Sequence, residues 1–210
     1  MSLTRLCLGL VALTVLSASA SADPIALDAS GWSVEFLGSR VTGTVTVVET
    51  GTDYVKILVE KDFSDAIWEG GEWDFPVAQL NFTQTGANPV STIIIDGEDI
   101  DNNTGLPWTE FRWNVFPGGN AYIDTAASAG WTVAPMAGWV GLTPQGAGYL
   151  TVVASGGSPV PDGATFSPTG GLVVNAAGEF TFKQFPVPEP AALTLILVGA
   201  GLAMRRRKRA

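Results

Sequence analysis

The sequence of 210 residues contains no histidine, and its one cysteine, Cys7, lies close to the start. Histidine is the usual general base of serine and cysteine nucleophile systems, and it is a common zinc ligand. Its absence excludes both kinds of site in their usual form. A single cysteine also excludes an internal disulfide bond. We therefore predict a protein that is not an enzyme.

Basic residues are scarce between the two ends of the chain. The segment 23–188 holds five of the 11 basic residues but all except one of the 20 acidic residues, so it is more acidic than the net charge of −9 suggests. Such a surface repels nucleic acid and anionic lipid. We expect no nucleic-acid partner. The charge favours solubility after export, and it would also attract divalent cations.

The first 22 residues have the three-part order of a secretory signal peptide. Arg5 supplies positive charge, Leu6 to Leu16 form an apolar run, and Ala20-Ser21-Ala22 fits the cleavage pattern. We expect a signal-peptide helix over 1–22, cleavage by signal peptidase after Ala22, and export of the rest. The alternative, an N-terminal membrane anchor, is disfavoured because the apolar run is short for a bilayer.

The chain ends with a second three-part pattern. Val187-Pro188-Glu189-Pro190 precedes an uncharged stretch from Ala191 to Met204, and Arg205-Arg206-Arg207-Lys208-Arg209 follows. Prolines lack an N–H donor, so Pro188, Glu189 and Pro190 are expected to stay exposed and open to a protease. The uncharged stretch predicts a helix that enters the inner membrane, while the basic cluster stays in the cytoplasm.

This second apolar stretch is short for a permanent anchor. Its 14 residues give a helix of about 21 Å, against a hydrocarbon core of about 30 Å. A short terminal span suits a segment that is recognised once and then removed.

Residues 187–209 resemble the PEP-CTERM sorting signal of exopolysaccharide-producing Gram-negative bacteria, because all three parts coincide at the C-terminus. The resemblance implies processing near Pro188-Glu189-Pro190 by an exosortase, a multi-pass membrane protease or transpeptidase. It implies a transient inner-membrane intermediate and then delivery to the cell surface or the extracellular matrix. The alternative is a plain C-terminal tail anchor.

The segment 23–185 predicts an all-β ectodomain, an antiparallel β-sandwich or jelly roll. Val41 to Val48 and Tyr54 to Glu60 both alternate in polarity around a turn signal, which is typical of a hairpin. Further strand candidates recur at short intervals. They are Trp32–Leu37, Val77–Thr83, Thr92–Ile95, Trp108–Phe116, Ala121–Asp124, Gly138–Leu142, Gly148–Ala154, Leu172–Asn175 and Glu179–Lys183. Ser155 to Gly171, rich in glycine, proline and serine, predicts a long surface loop.

An acidic stretch from Asp99 to Asn103 places side-chain oxygens at alternate positions, as in a calcium loop. It is not an EF-hand, because Gly105 comes one place late and no helices flank it. A β-protein could still bind calcium through several of these oxygens. The alternative is a solvated acidic turn between two strands. We expect no other cofactor. The candidate calcium ligands are Asp96, Asp99, Asp101, Asn103 and Glu110.

The residues from Asn103 to Phe111, together with Asn102 before them, are similar to an N-x-T-G-x-x-W-T-x-F pattern of β-sandwich bodies in PEP-CTERM proteins. This similarity carries no assigned chemistry. It predicts that Trp108 begins a strand and covers one end of the core.

Trp68 and Trp73 are the least core-like of seven tryptophans, because they lie in a glycine-rich acidic stretch. Indole faces pack against the C–H faces of sugars, so both residues are candidates for glycan binding. The alternative is that large aromatic residues fill the core. Glu69, Glu72 and Asp74 would be candidates for a glycosidase pair, but carboxylates so close together in one loop seldom flank a substrate.

These observations predict an exported cell-surface or extracellular-matrix protein that is not an enzyme, is sorted by exosortase and associates with exopolysaccharide. The first alternative is a carbohydrate-binding module, with or without calcium. The second, less favoured, is a glycoside-active enzyme.

Overall fold

The computed structural model describes residues 23–69, 72–117, 119–142 and 150–188. The expected signal-peptide helix over 1–22 lies outside these residues. So do Glu189, Pro190, the C-terminal hydrophobic helix and the basic cluster from Arg205 to Arg209. Among the helices of the described ranges, none is long and apolar enough to cross a membrane.

The described part of the chain is almost entirely β-structure, which confirms the all-β prediction. One 3-10 turn, Asp28–Ser30, precedes the second strand. The strands are β1 (Ile25–Ala26), β2 (Trp32–Ser39), β3 (Val41–Thr50), β4 (Tyr54–Ser64), β5 (Ile67–Glu69), β6 (Glu72–Asp74), β7 (Val77–Gln84), β8 (Thr92–Asn103), β9 (Trp108–Phe116), β10 (Ala121–Ile123), β11 (Gly138–Leu142), β12 (Leu150–Val160), β13 (Thr165–Phe166), β14 (Thr169–Ala176) and β15 (Phe180–Pro188).

The strands form two large sheets and one small ribbon. The seven-stranded sheet has the order β1-β2-β7-β15-β9-β12-β11, and the six-stranded sheet has the order β10-β14-β8-β4-β3 with β13 also on β8. Within the described residues all pairs are antiparallel except β4 with β8. One cluster of buried residues joins the two sheets, with Leu80 and Phe182 from the first and Ile57 and Ile95 from the second.

The predicted hairpin and the predicted strands are present in the described part of the chain, whereas Gly148 and Tyr149 of the candidate Gly148–Ala154 lie outside it. Trp108–Phe116 and Gly138–Leu142 have the predicted bounds, and the hairpin is β3 paired antiparallel with β4. The prediction of a surface loop from Ser155 to Gly171 is wrong, because β12 continues to Val160 and β13 and β14 follow.

The glycine residues of this region form a β-bulge instead of a loop. The pairing of β12 with β9 is interrupted between Ser155 and Val160, where Gly156 and Gly157 adopt φ of +73° and +69°. A Cβ on Gly157 would lie 2.6 Å from the Pro135 carbonyl oxygen. Composition alone could not distinguish a bulged strand from a loop, because both require left-handed backbone.

The last strand extends past Phe185, where the ectodomain was expected to end. β15 runs to Pro188, which is buried instead of exposed. Up to Gln184 this strand pairs with both β7 and β9, but from Phe185 onward it pairs with β9 alone. The prolines are tolerated there because a strand with one neighbour leaves one row of donors unused.

Several aromatic residues lie in the core, but the side chains of Trp68 and Trp73, for which core packing was the alternative, lie outside the described part of the structure. Trp32, Trp108 and Trp113 are fully buried. Trp113 packs edge-on against Trp131, with ring centroids 4.8 Å apart, and tilts against Phe111 at 4.7 Å. Phe63 of the six-stranded sheet packs edge-on against Phe111 of the seven-stranded sheet, with ring centroids 5.7 Å apart, so aromatic contacts join the two sheets.

Candidate functional site

The candidate calcium residues lie in a strand and not in a turn. Asp99, Asp101 and Asn103 alternate along β8 and are exposed on the outer face of the six-stranded sheet. The acidic-turn expectation is therefore wrong. The reason is tertiary, since β8 is held between β4 and β14 and its pairing with β4 continues to Asn103.

The parallel register makes this outer face strongly acidic. Asp99 lies beside Glu60 of β4, and Asp101 lies beside Asp62. On the other side of β4, Thr44 Oγ1 of β3 donates to Glu60 Oε2 at 3.0 Å. We refer to Glu60, Asp62, Asp99 and Asp101 as the outer acidic face.

Hydroxyl and amide donors already bind much of this face. Asp99 Oδ1 accepts from Ser167 Oγ at 2.8 Å. Asp101 Oδ1 accepts from Thr165 Oγ1 at 2.6 Å. Asn103 Nδ2 donates to Asp62 at 2.8 Å.

The remaining calcium candidates do not join this face as a metal site. Glu110 lies in β9 of the other sheet, where it pairs with Arg112. Asp96 is the extra residue of a bulge in β8. Among the described residues no group of three or more histidine, cysteine or acidic side chains is arranged to hold a metal ion.

Trp68 and Trp73 lie in a ribbon outside both large sheets. β5 and β6 pair only with each other, and the register places Trp68 opposite Trp73 and Glu69 opposite Glu72. The side chains of these four residues lie outside the described part of the structure. Arg40 joins the end of the ribbon to β2 and β3, forming an ion pair with Asp74 at 2.5 Å.

The ribbon lies close to Pro188, the last residue that the structure describes. Ala66 N donates to the Thr104 carbonyl at 3.2 Å, just ahead of the ribbon. Trp108 Nε1 donates to Thr104 Oγ1 at 3.0 Å, and the same tryptophan is the register partner of Pro188. The ribbon and the end of β15 therefore lie at one end of the fold.

The prediction for Trp108 is confirmed. Trp108 is the first residue of β9 and is fully buried. Its indole N–H donates a hydrogen bond to Thr104, within the N-x-T-G-x-x-W-T-x-F stretch. The preceding Asn102 holds the same loop through its side chain, donating from Nδ2 to the carbonyls of Leu106 and Val160 at 2.9 and 3.0 Å. These residues have a structural role.

The sequence analysis missed a group of polar side chains inside the core. Lys61 Nζ lies 2.5 Å from Glu98 Oε1, and both side chains are almost completely buried, at 0% and 1% exposure. Lys61 Nζ also donates to Gln184 Oε1, and Gln184 is fully buried. Trp113 Nε1 donates to Glu98 Oε2 at 2.7 Å. We refer to Lys61, Glu98 and Gln184 as the buried triad.

Strand alternation explains two members of the buried triad. The inward face of β4 is Val55, Ile57, Val59, Lys61 and Phe63. The inward residues Phe180 and Phe182 of β15 are followed by Gln184. Both residues keep the period of two, so continuing the alternation past Glu60 would have found Lys61.

Glu98 could not be found in this way, because a bulge changes the phase of β8. Ile57 pairs with Ile95, but the next residue of β4, Leu58, pairs with Gly97. The extra residue, Asp96, moves the inward phase from odd to even numbers, so Glu98 points into the core and Asp99 points out. A one-residue change of register reverses every following side chain.

Burial makes this ion pair energetically expensive. Removing a charged group from water costs several kcal/mol per ion, which the mutual attraction often fails to recover. Burial lowers the pKa of the Lys61 ammonium, against the opposing effect of the Glu98 carboxylate. Gln184 Nε2 is buried and has no hydrogen-bond partner among the described residues, which costs about 1–3 kcal/mol.

The buried triad is closed to solvent, so its chemistry is confined to its own side chains. It combines an amine that burial drives toward the neutral form, a carboxylate that can take its proton, and a carboxamide in contact with the amine. No substrate from solution can reach these atoms.

Comparison with known proteins gives no further assignment. No family model matches the chain, and we found no similar curated protein and no similar solved structure.

Proposed function

We propose that the chain is an exported cell-surface or extracellular-matrix protein whose β-sandwich ectodomain is released by an exosortase and associates with exopolysaccharide. The observation that carries the proposal is the three-part pattern from Val187 to Arg209, which resembles a PEP-CTERM sorting signal. It begins where the last strand of the fold ends.

The position of β15 supports processing after the folded body. Pro188 is buried and paired with Trp108, so cleavage on its N-terminal side would have to open this pairing. Cleavage on the C-terminal side of Pro188 would leave every described strand intact. We therefore expect the mature chain to keep Pro188.

The residue inventory supports a role without catalysis. The sequence contains no histidine. The nearest candidates for a glycosidase pair, Glu69, Glu72 and Asp74, belong to one short ribbon, whereas glycoside hydrolysis needs carboxylates on both sides of the scissile bond.

The sorting proposal is tested by Glu189→Ala in a Gram-negative host that contains an exosortase. We expect an unprocessed precursor in the inner membrane and little protein at the surface, measured by fractionation and intact mass. Glu179→Ala, an exposed acidic residue before β15, is the matched control and should be processed normally. Processing of the Glu189→Ala chain at the normal rate would refute the proposal.

A carbohydrate-binding module is the second candidate, favoured by the register of Trp68 opposite Trp73 in a ribbon outside the core. Calorimetric titration of the protein with exopolysaccharide should then show saturable heat that Trp68→Ala with Trp73→Ala abolishes. Ile67→Ala, which changes an exposed apolar residue of the same ribbon, should retain binding. Repeating the titration with EDTA tests whether calcium assists, and equal binding by all variants would eliminate this candidate.

A further inference from the structure

The buried triad has the composition of a self-acylation site. Lys61 supplies an amine, Gln184 a carboxamide, and Glu98 a carboxylate that contacts the amine at 2.5 Å. We propose that Lys61 and Gln184 join in an isopeptide bond between the two sheets, with Glu98 as proton carrier and ammonia as leaving group. The inference concerns the folded body alone and does not depend on export or sorting.

The nucleophile must be the neutral amine, and burial shifts Lys61 toward that form, although the Glu98 carboxylate opposes the shift. Apolar burial penalises the ammonium and lowers the pKa of Lys61. Glu98 Oε1 is close enough to accept the released proton. Trp113 holds the other carboxylate oxygen through its indole N–H, which keeps Glu98 directed at the amine.

The electrophile is next to the nucleophile. Lys61 Nζ donates a hydrogen bond to Gln184 Oε1. The carboxamide carbon is bonded directly to that oxygen, with a C=O bond length of about 1.23 Å. Gln184 Nε2, the leaving nitrogen, is buried, and the part of the chain that the structure describes offers it no hydrogen-bond partner. Its departure would therefore break no hydrogen bond and would remove an unsatisfied donor from the core.

The reaction balances without any added reagent. Glu98 first takes one proton from the Lys61 ammonium, and the free amine attacks Cδ of Gln184 to form the new C–N bond. Glu98 then gives its proton to Nε2 and takes another from Nζ. The C–Nε2 bond breaks and ammonia leaves, so the products are a secondary amide, ammonia and a protonated Glu98. No atom is oxidised or reduced.

The product suits the core better than the reactants do. A buried ion pair becomes a neutral amide beside a neutral carboxylic acid, so neither charge has to be stabilised away from water. The almost complete burial of all three side chains also keeps out the water that would hydrolyse the bond.

The link would restrain the fold where no disulfide can. Lys61 and Gln184 are separated by 123 residues in the chain, and closing a loop of that length strongly restricts the unfolded state. β15 is also the last strand that the structure describes before the C-terminus. A mechanical force applied at the C-terminus would therefore act on the covalent bond that joins β15 to β4.

The test is peptide mass spectrometry of the purified full chain after unfolding and trypsin digestion. Acylated Lys61 resists trypsin, so we expect fragment 57–112 covalently joined to the fragment that begins at Gln184. The joined mass should be lower than the sum of the two fragments by about 17 Da, the mass of ammonia. Folded wild-type protein that yields only unlinked fragments would overturn the proposal.

Variants separate the roles of the three residues. Lys61→Met should abolish the link, whereas Lys56→Met, on the outer side of the same strand, should retain it. Glu98→Gln keeps both reacting groups and should show no link after folding is verified by near-ultraviolet circular dichroism. A linked Glu98→Gln chain would refute the assigned role of Glu98. If that variant fails to fold, the wild-type masses alone decide the proposal.

Discussion

The two faces of β4 and β8 carry charges that are adjacent in sequence but differ in their physical consequences. Glu60 and Asp99 belong to the outer acidic face and are exposed, whereas their neighbours Lys61 and Glu98 are buried. Solvent screens the outer charges, so each contributes little to stability. The inner charges have lost their hydration and must be paired or neutralised. The side of the sheet on which a charge lies therefore determines what that charge contributes to stability.

The phase of β8 after the bulge at Asp96 creates this difference, and deleting Asp99 should have the largest effect. The deletion reverses the alternation after Glu98, which turns Ile100 and Asn102 outward and Asp101 and Asn103 inward. The cost should exceed the total stability of about 5–15 kcal/mol of a typical domain. We expect no soluble folded protein, measured by soluble yield and near-ultraviolet circular dichroism.

The control for that deletion is removal of Ala87, an exposed residue between β7 and β8. It should leave the protein folded, because exposed loops tolerate changes of length. Native spectra for the Asp99 deletion would show that β8 can change phase without penalty, and the alternation after the bulge would then not determine the two faces.

Glu98→Ala should cause the next largest loss of stability. Asp99→Ala changes the adjacent residue, which lies on the opposite face, and serves as the comparison. The first removes the partner of a buried amine, which should lower the free energy of unfolding by about 3–5 kcal/mol. The second removes a solvated carboxylate and should change it by about 0.5 kcal/mol or less. Urea unfolding measures both. Equal losses for the two variants would contradict the distinction between the faces.

Lys56→Met should have the smallest effect, since it concerns an exposed ion pair on the same strand as Lys61. Hydrogen bonds from Lys56 and Tyr54 lower the pKa of the Glu49 carboxyl. A lowered folded-state pKa stabilises the protein above the unfolded-state pKa, and this contribution is lost as pH falls through the folded-state value. Lys56→Met should raise the pKa of Glu49. The protein should then lose less stability as the pH falls through that pKa.

Carbon-13 NMR titration of the Glu49 carboxyl measures this change. Lys183→Met, a change to a lysine on the other sheet, should leave the pKa of Glu49 where it is. An unchanged pKa in the Lys56→Met chain would mean that the exposed pair does not persist in solution. The difference between the exposed Lys56–Glu49 pair and the buried Lys61–Glu98 pair in their effect on stability would then be greater than the structure indicates.

Sequence patterns predicted the strands well wherever polarity alternated without interruption. The β3–β4 hairpin and the bounds of β9 followed from alternation and turn residues, because a strand with one buried face leaves that period in the sequence. The predictions were wrong at Ser155–Gly171 and Asp99–Asn103. In both stretches, turn-forming residues occupy strands that contain or follow a bulge, and composition cannot distinguish the two.

The candidate site was less predictable, because its members are distant in sequence. Lys61 and Gln184 keep the inward phase of their own strands, but their contact depends on how the two sheets pack. Glu98 has the wrong phase until the bulge at Asp96 is known. The calcium candidates were grouped by sequence spacing, and the fold placed Glu110 in the other sheet.

The sequence alone determined the β-rich character of the body, its acidity, the absence of histidine chemistry and the terminal patterns behind the sorting proposal. Those properties depend on composition and on short-range periodicity, which are local. The tertiary structure decided that Pro188 is buried in the last strand and that Lys61, Glu98 and Gln184 meet in the core. These outcomes depend on strand pairing, bulges and packing between residues far apart in the chain, which no local pattern records.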